Sequence, residues 1–251
     1  MKKPETIQKW VDEERPGAVA EAVAKTALDG GYGLVASIAW AIGDGPVVAA
    51  TSAGKNGYDQ AIERALIEGF FGELERLRAD SRVSPTLVGH CISSFDVLFL
   101  WRRAIVLGIA PPSWWPVHAA PWKADDLQDT MLMWCGPKGG FISQDRLARI
   151  LGLKGKGDID GSKVAALWEA GRYEDVRIYN ADDVECCRRI WCRLTGEEAP
   201  DDESEGIVLA TQEAEDEVMQ AVVAKKGLAK DGQGRVIPSF LLGVTSTGRA
   251  A

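Results

Sequence analysis

Apolar residues follow two rhythms along this chain. Residues 34–42, LVASIAWAI, form a near-continuous apolar stretch bounded by glycines, the pattern of a strand buried on both faces. PVVAAT at 46–51 follows across GDG as its hairpin partner. Ile62, Ala65, Leu66, Phe70, Leu74 and Leu77 then recur at three- and four-residue steps, which predicts a helix over 59–78. TLVG at 86–89 reads as a short strand, and a helix over 94–107 is expected to start at a Ser94 cap. An Ala-rich helix over 18–28, halted by Gly30 and Gly31, precedes them all.

Beyond the loop PPSWWPVHAAPW the rhythm is helical, over 127–134, 143–151, 162–170 and 173–194. Early strands and late helices predict one α/β domain over 1–196, a sheet finished by a helical region. Residues 197–217 read as an acidic linker and helix start, and 218–251 as a mildly basic tail with a helix over 211–226 leading into it. GQGRVIPSFLLGV within that tail carries no pattern that selects an element.

Composition changes the picture in two places. The formal net charge of −8 argues against nucleic acid as a partner, yet ten acidic residues and no Lys or Arg lie between Glu197 and Glu217. Without that segment the chain is close to neutral, and Arg102, Arg103, Arg188, Arg189 and Arg193 lie in or beside the segments that carry candidate chemistry. The second place is histidine: His90 and His118 alone cannot build a multi-histidine zinc centre, so metal chemistry must rest on carboxylates.

Several classes drop out. The five cysteines have no paired spacing and suit reduced thiols. The N-terminus lacks the apolar core of a secretory signal, and no apolar run reaches the ~20 residues of a membrane span, so a cytoplasmic setting is expected. No GxGxxG follows a strand, GKGDIDGSK lacks the phosphate-loop spacing, and no GxSxG is present. Asp158 and Asp160 in that segment read as a turn opening the next helix.

Aspartates at the ends of elements remain. In VGHCISSFDVLFLW a strand runs through a loop into a helix and leaves Asp96 in its first turn, beside the strand's carboxyl end. In IYNADDVECCRRIW, Tyr179 and Asp183 are four apart and share a helix face, while Asp182 turns towards solvent.

In combination, GHCISSFDVLFLWRRAIVLGI and IYNADDVE resemble the second and third motifs of the DEDD superfamily of 3′–5′ exonucleases, in its tyrosine-bearing branch. The chain is most similar to predicted exonucleases related to the proofreading domain of family-B DNA polymerases, phage forms included. KKPETIQKW, ERPGAVAEAVAKTALDGGYG, DTMLMW and GLKGKGDIDGSKVAALWEAGR look like the same family's text, so the likeness covers residues 1–194. It implies a ribonuclease-H-like mixed sheet flanked by helices, and hydrolysis of phosphodiester bonds at the 3′ end of single-stranded DNA with two Mg²⁺ or Mn²⁺ ions. By motif match Asp96 and Asp183 would bind metal, Tyr179 would orient the attacking water, and His90, Ser94 and Phe95 would border the terminal nucleotide.

Two departures stand out. The family's first motif, a central strand carrying Asp-x-Glu ahead of KKPETI, has no counterpart here, so it is expected upstream of Met1 or lost in a weakly active remnant. Asp12 and Glu14 have the spacing but no buried strand before them, and read as a charged helix surface. Cys91 stands where the family usually carries Asn. The competing reading is therefore a catalytically inactive or truncated nucleic-acid-binding or interaction module derived from such an exonuclease.

Overall fold

A computed structural model describes residues 4–81, 85–118, 127–136, 138–155, 161–199, 208–209 and 239–247. Helices α1 (Pro4–Lys9) and α2 (Arg15–Thr26) are joined through a wider π-helical turn, Trp10–Glu14. Asp12 and Glu14 are exposed there, and Gln8 donates to the Asp12 carboxylate at 3.1 Å, as befits a charged helix surface.

The sheet begins with β1 (Leu34–Ile42), whose middle is fully buried, and its antiparallel partner β2 (Val48–Thr51). A small ribbon of β3 (Ala53–Gly54) and β4 (Gly57–Tyr58) leads into the long helix α3 (Gln60–Ser81). Strand β5 (Thr86–Gly89) then feeds α4 (Asp96–Val106). The expected helix over 127–134 is instead a strand, β6 (Leu127–Asp129), followed by α5 (Thr130–Cys135). Leu127, Gln128 and Asp129 pair in parallel with Leu87, Val88 and Gly89, and three residues are too few to show a period. Then come α6 (Gln144–Ile150), a 3₁₀ turn Gly161–Lys163 with α7 (Val164–Glu169), and α8 (Tyr173–Thr195). Asp158, Asp160 and the helix expected over 211–226 lie outside the described residues.

Two strands come from beyond residue 196. Val208 and Leu209 form β7, which lies parallel to β2 at the sheet edge. Ser239–Thr247, in the segment without a readable pattern, forms β8. It lies between β1 and β5, antiparallel to the first and parallel to the second, giving the order β6-β5-β8-β1-β2-β7. The central place expected to be empty is thus filled by the chain's own later residues, because β1 and β5 would otherwise each present a row of unpaired backbone groups. The result is a mixed α/β architecture consistent with the ribonuclease-H-like fold.

Helices cover both faces. On one, Phe70, Phe71 and Leu74 of α3 and Phe99 and Leu100 of α4 pack with Ile38, Trp40 and Leu87. Trp40 meets Phe70 edge-on at 5.5 Å, and Trp115 donates its indole N–H to the Val97 carbonyl at 3.0 Å. On the other, Ala181, Val184 and Cys187 of α8 lie on Ala39, Ala41 and Val88, small residues that let the helix approach closely. Among the described residues no helix is long and apolar enough to cross a membrane.

Candidate active site

Everything at the carboxyl end of β5 follows from how tightly the chain turns there. A Cβ on Gly89 would stand 2.6 Å from that of Ile92, so only glycine lets the loop fold back onto its strand. Cys91 adopts a left-handed backbone, φ 65°, where Asn or Gly fits better than a thiol side chain. The amides of Ser94 and Phe95 both return to the Cys91 carbonyl. Phe95 is the residue that caps α4, without a side-chain hydrogen bond. Ser94 is not the expected cap: its hydroxyl faces Cys91, 3.0 Å from Sγ and 3.2 Å from the carbonyl.

Asp129 holds this loop in place. Its Oδ1 accepts from the Cys91 amide at 3.0 Å and caps α5 through Met131 and Leu132. Its Oδ2 accepts from the Ser93 amide at 3.2 Å and hydroxyl at 2.6 Å. It is 1% exposed, a buried carboxylate balanced entirely by N–H and O–H donors. Sequence reasoning missed it, although an Asp directly before the apolar turn TMLMW is an ordinary N-cap signal.

The predicted site residues occupy definite places on this frame. Asp96, 6% exposed, lies in the first turn of α4. The Phe95 ring packs at 5.4 Å on Phe99, which anchors it at the mouth of the loop. His90 donates from Nε2 to the Ile142 carbonyl at 2.8 Å, and its Nδ1 lies 2.9 Å from Thr130 Oγ1. Both ring nitrogens therefore tie β5 to the segments around α5 and α6. His118 is exposed.

The third motif comes from α8. An irregularity in the β1–β8 ladder falls between Val35 and Ser37, so the consecutive residues Ala36 and Ser37 both meet α8. Ala36 packs with Tyr179, Val164 and Trp168, while Ser37 Oγ accepts from Asn180 Nδ2 at 3.0 Å. Tyr179 is 6% exposed, and its hydroxyl would stand 3.5 Å from a Cβ on Gly161. One turn on, the Asp183 carbonyl accepts from Gln144 Nε2 at 2.6 Å, which fixes α6 against α8. Asp182 is half-buried rather than turned to solvent, and burial raises its pKa against the opposing pull of Lys154 and Arg189.

These elements meet at one end of the sheet. Because β1 runs antiparallel to β8, and β8 parallel to β5, the amino-terminal half of β1 under Tyr179 and Asn180 lies beside the carboxyl end of β5. Electrostatics agree. Burial raises the pKa of the Cys91 thiol, with the Asp129 and Asp96 charges adding to it, while Cys187, also raised by burial, feels Asp129 and Asp183. Asp129 thus acts on both sides of the cluster.

The arginines that flank these motifs in sequence are engaged by groups of their own. Arg103 is buried against Glu63 at 2.8 Å, and Arg188 donates to the Gly45 carbonyl in the distant hairpin at 2.8 Å. Arg102 pairs with Asp29, Arg189 with Glu185, and Arg193 donates to the Leu151 carbonyl. The spacing of these arginines along the sequence did not reveal which face each would take. As donors for a cation, Asp96 and Asp183 are suited to hard ions, but among the described residues no three of His, Cys, Asp and Glu converge on one point. Two carboxylates fit one cation completed by substrate phosphates and water; they do not fit a pair.

A family model described as a predicted 3′–5′ exonuclease related to the exonuclease domain of PolB matches residues 35–205. No curated protein matches the chain.

Proposed function

The chain belongs to this family of predicted 3′–5′ exonucleases related to the PolB exonuclease domain, and on that premise we propose that it receives the 3′ end of single-stranded DNA and hydrolyses its terminal phosphodiester. The observation that carries the reading is the arrival of Asp96 and the Tyr179–Asp183 turn at the same end of the sheet. That is the crevice beyond the strand carboxyl ends where open α/β sheets take their ligands.

Asp96 and Asp183 would hold a divalent cation, Mg²⁺ or Mn²⁺, which when bound supplies positive charge to the scissile phosphate. The chain's own groups do the rest. Tyr179, its ring packed on Ala36, offers its hydroxyl to the attacking water. Phe95 presents an aromatic face to the terminal base, and exposed Ser94 a hydroxyl to its sugar or phosphate. His90 supports the loop from behind through Ile142 and Thr130.

An oligonucleotide labelled separately at each end tests this. With Mg²⁺ or Mn²⁺ the 3′ label is released first, and Asp183→Asn abolishes that release while leaving the melting temperature close to that of the parent. Equal loss of both labels, or no affinity for single strands, removes the reading. A second reading, capture of 3′ ends without cleavage, is favoured by one observation: Ser239–Thr247, the central strand, contains no Asp or Glu. Its signature is binding that weakens with salt and releases no label.

A further inference from the structure

We propose that this chain holds a single divalent cation on Asp96 and Asp183, not two, because β8 brings Gly243 and Thr245, and no carboxylate, to the central-strand positions that share a sheet face with Tyr179 and Asp183. The inference rests on the nuclease reading above and concerns how far this chain can carry it.

Register supplies the argument. Ala39 and Ala41 pack under α8, and Ser37 bonds Asn180 of the same helix. Directly opposite these three on β8 stand Gly243, Leu241 and Thr245. Residues paired across a ladder belong to one face, so 241, 243 and 245 are the β8 positions on the α8 face. Leu241 is opposite Val88, one residue before β5 ends at Gly89. Positions 243 and 245 therefore lie beyond the carboxyl end of β5, where the loop to Asp96 begins. Among the described residues these are β8 positions on the α8 face just beyond the end of β5, and they are glycine and threonine.

Among the described residues, the groups nearest this end do not substitute for the missing acids. Asp129 has both oxygens engaged by the donors described above. Cys91 offers sulfur, a soft ligand ill-suited to Mg²⁺. Both His90 nitrogens are engaged by Thr130 and the Ile142 carbonyl. Two ions would bring a charge of +4 against two carboxylates.

Titration of the full chain with Mn²⁺, followed calorimetrically and by the paramagnetic signal of free Mn²⁺, decides the point. The parent is expected to bind one ion per chain, Asp183→Asn none, and Gly243→Asp/Thr245→Glu two, with label release from the 3′ end rising at least tenfold in that double variant. Two ions on the parent, none on it, or one on a folded double variant overturns the proposal. Should the double variant fail to fold, Thr245→Glu alone decides: tenfold tighter Mn²⁺ supports the proposal and unchanged affinity overturns it. Oligonucleotide binding measured alongside keeps the two ideas apart. A parent that binds 3′ ends but carries the wrong number of ions leaves the nuclease scaffold standing, whereas one that binds no oligonucleotide removes the functional reading itself.

Discussion

Two buried carboxylates, Glu63 inside the core and Asp129 at the end of the sheet, are balanced in opposite ways. Under α3 and α4, Glu63 at 0% exposure receives Arg103 Nε and Nη2 at 2.8 Å each, Tyr58 Oη at 2.6 Å and the Val35 amide at 2.7 Å. That carboxylate is neutralised by a full cation inside a bulky aromatic core. At the carboxyl end of β6, Asp129 is held instead by the amides of Cys91, Ser93, Met131 and Leu132 and by the Ser93 hydroxyl. One region is closed by an internal ion pair; the other holds its acid with amide and hydroxyl donors beside the loop that leads to Asp96. The contrast separates a pair that holds the core together from a carboxylate that shapes the loop of the proposed site.

Removing the closed pair is the harshest test. Glu63→Gln leaves the Arg103 guanidinium buried without its counter-charge and is expected to cost about 3–5 kcal/mol in urea unfolding. A loss no larger than that of a surface substitution would erase the contrast. Asp129→Asn is expected to cost about 1.5–3 kcal/mol, since charged acceptors make the stronger hydrogen bonds, and also to weaken oligonucleotide binding by freeing the loop before Asp96. Unchanged binding in that variant would detach the loop from the site.

Smaller effects sharpen the boundary between the two regions. Cys91→Asn relieves part of a left-handed strain of roughly 1–2 kcal/mol and is expected to raise the melting temperature; a fall would show that the thiol's contact with Ser94 outweighs the backbone. The smallest effect is a pH dependence. Tyr58 is pushed up to about 12 by burial and by its bond to Glu63. Its folded value exceeds the unfolded one of about 10, so its contribution is complete below pH 10 and is lost as pH rises through 12. Tyr58→Phe should flatten that decline in a series of melts, and an unaltered slope would place the transition elsewhere.

Much of this frame was legible in the residue pattern, for reasons that explain what was not. Leu34–Ile42 and Thr86–Gly89 are buried on both faces, so their apolar runs end where the strands end. Helices α3 and α8 are long enough to show their period, so Tyr179 and Asp183 could be placed on α8, and Asp96 could be placed at the start of α4. Asp129 was hidden because β6 is three residues long and its pairing partner lies in another segment. Asp182 was misjudged because helix geometry gives a direction but not what other segments bring against it, here Lys154 beyond α6. The location of β8 was beyond any local pattern: SFLLGVTST is defined as a central strand only by two edges that lie far away in the chain.

That distance has a consequence for how the protein is made. β1 pairs with residues roughly 200 positions later, a separation that makes folding slow, since the cost of closing so long a loop precedes any reward from the pairing. At a synthesis rate of about 5–20 residues per second, the ~150 residues between β5 and β8 take roughly 8–30 s to emerge. Throughout that interval the nascent chain carries the inner edges of β1 and β5 without the strand that joins them, an invitation to pairing with other chains that ends only when β8 leaves the ribosome.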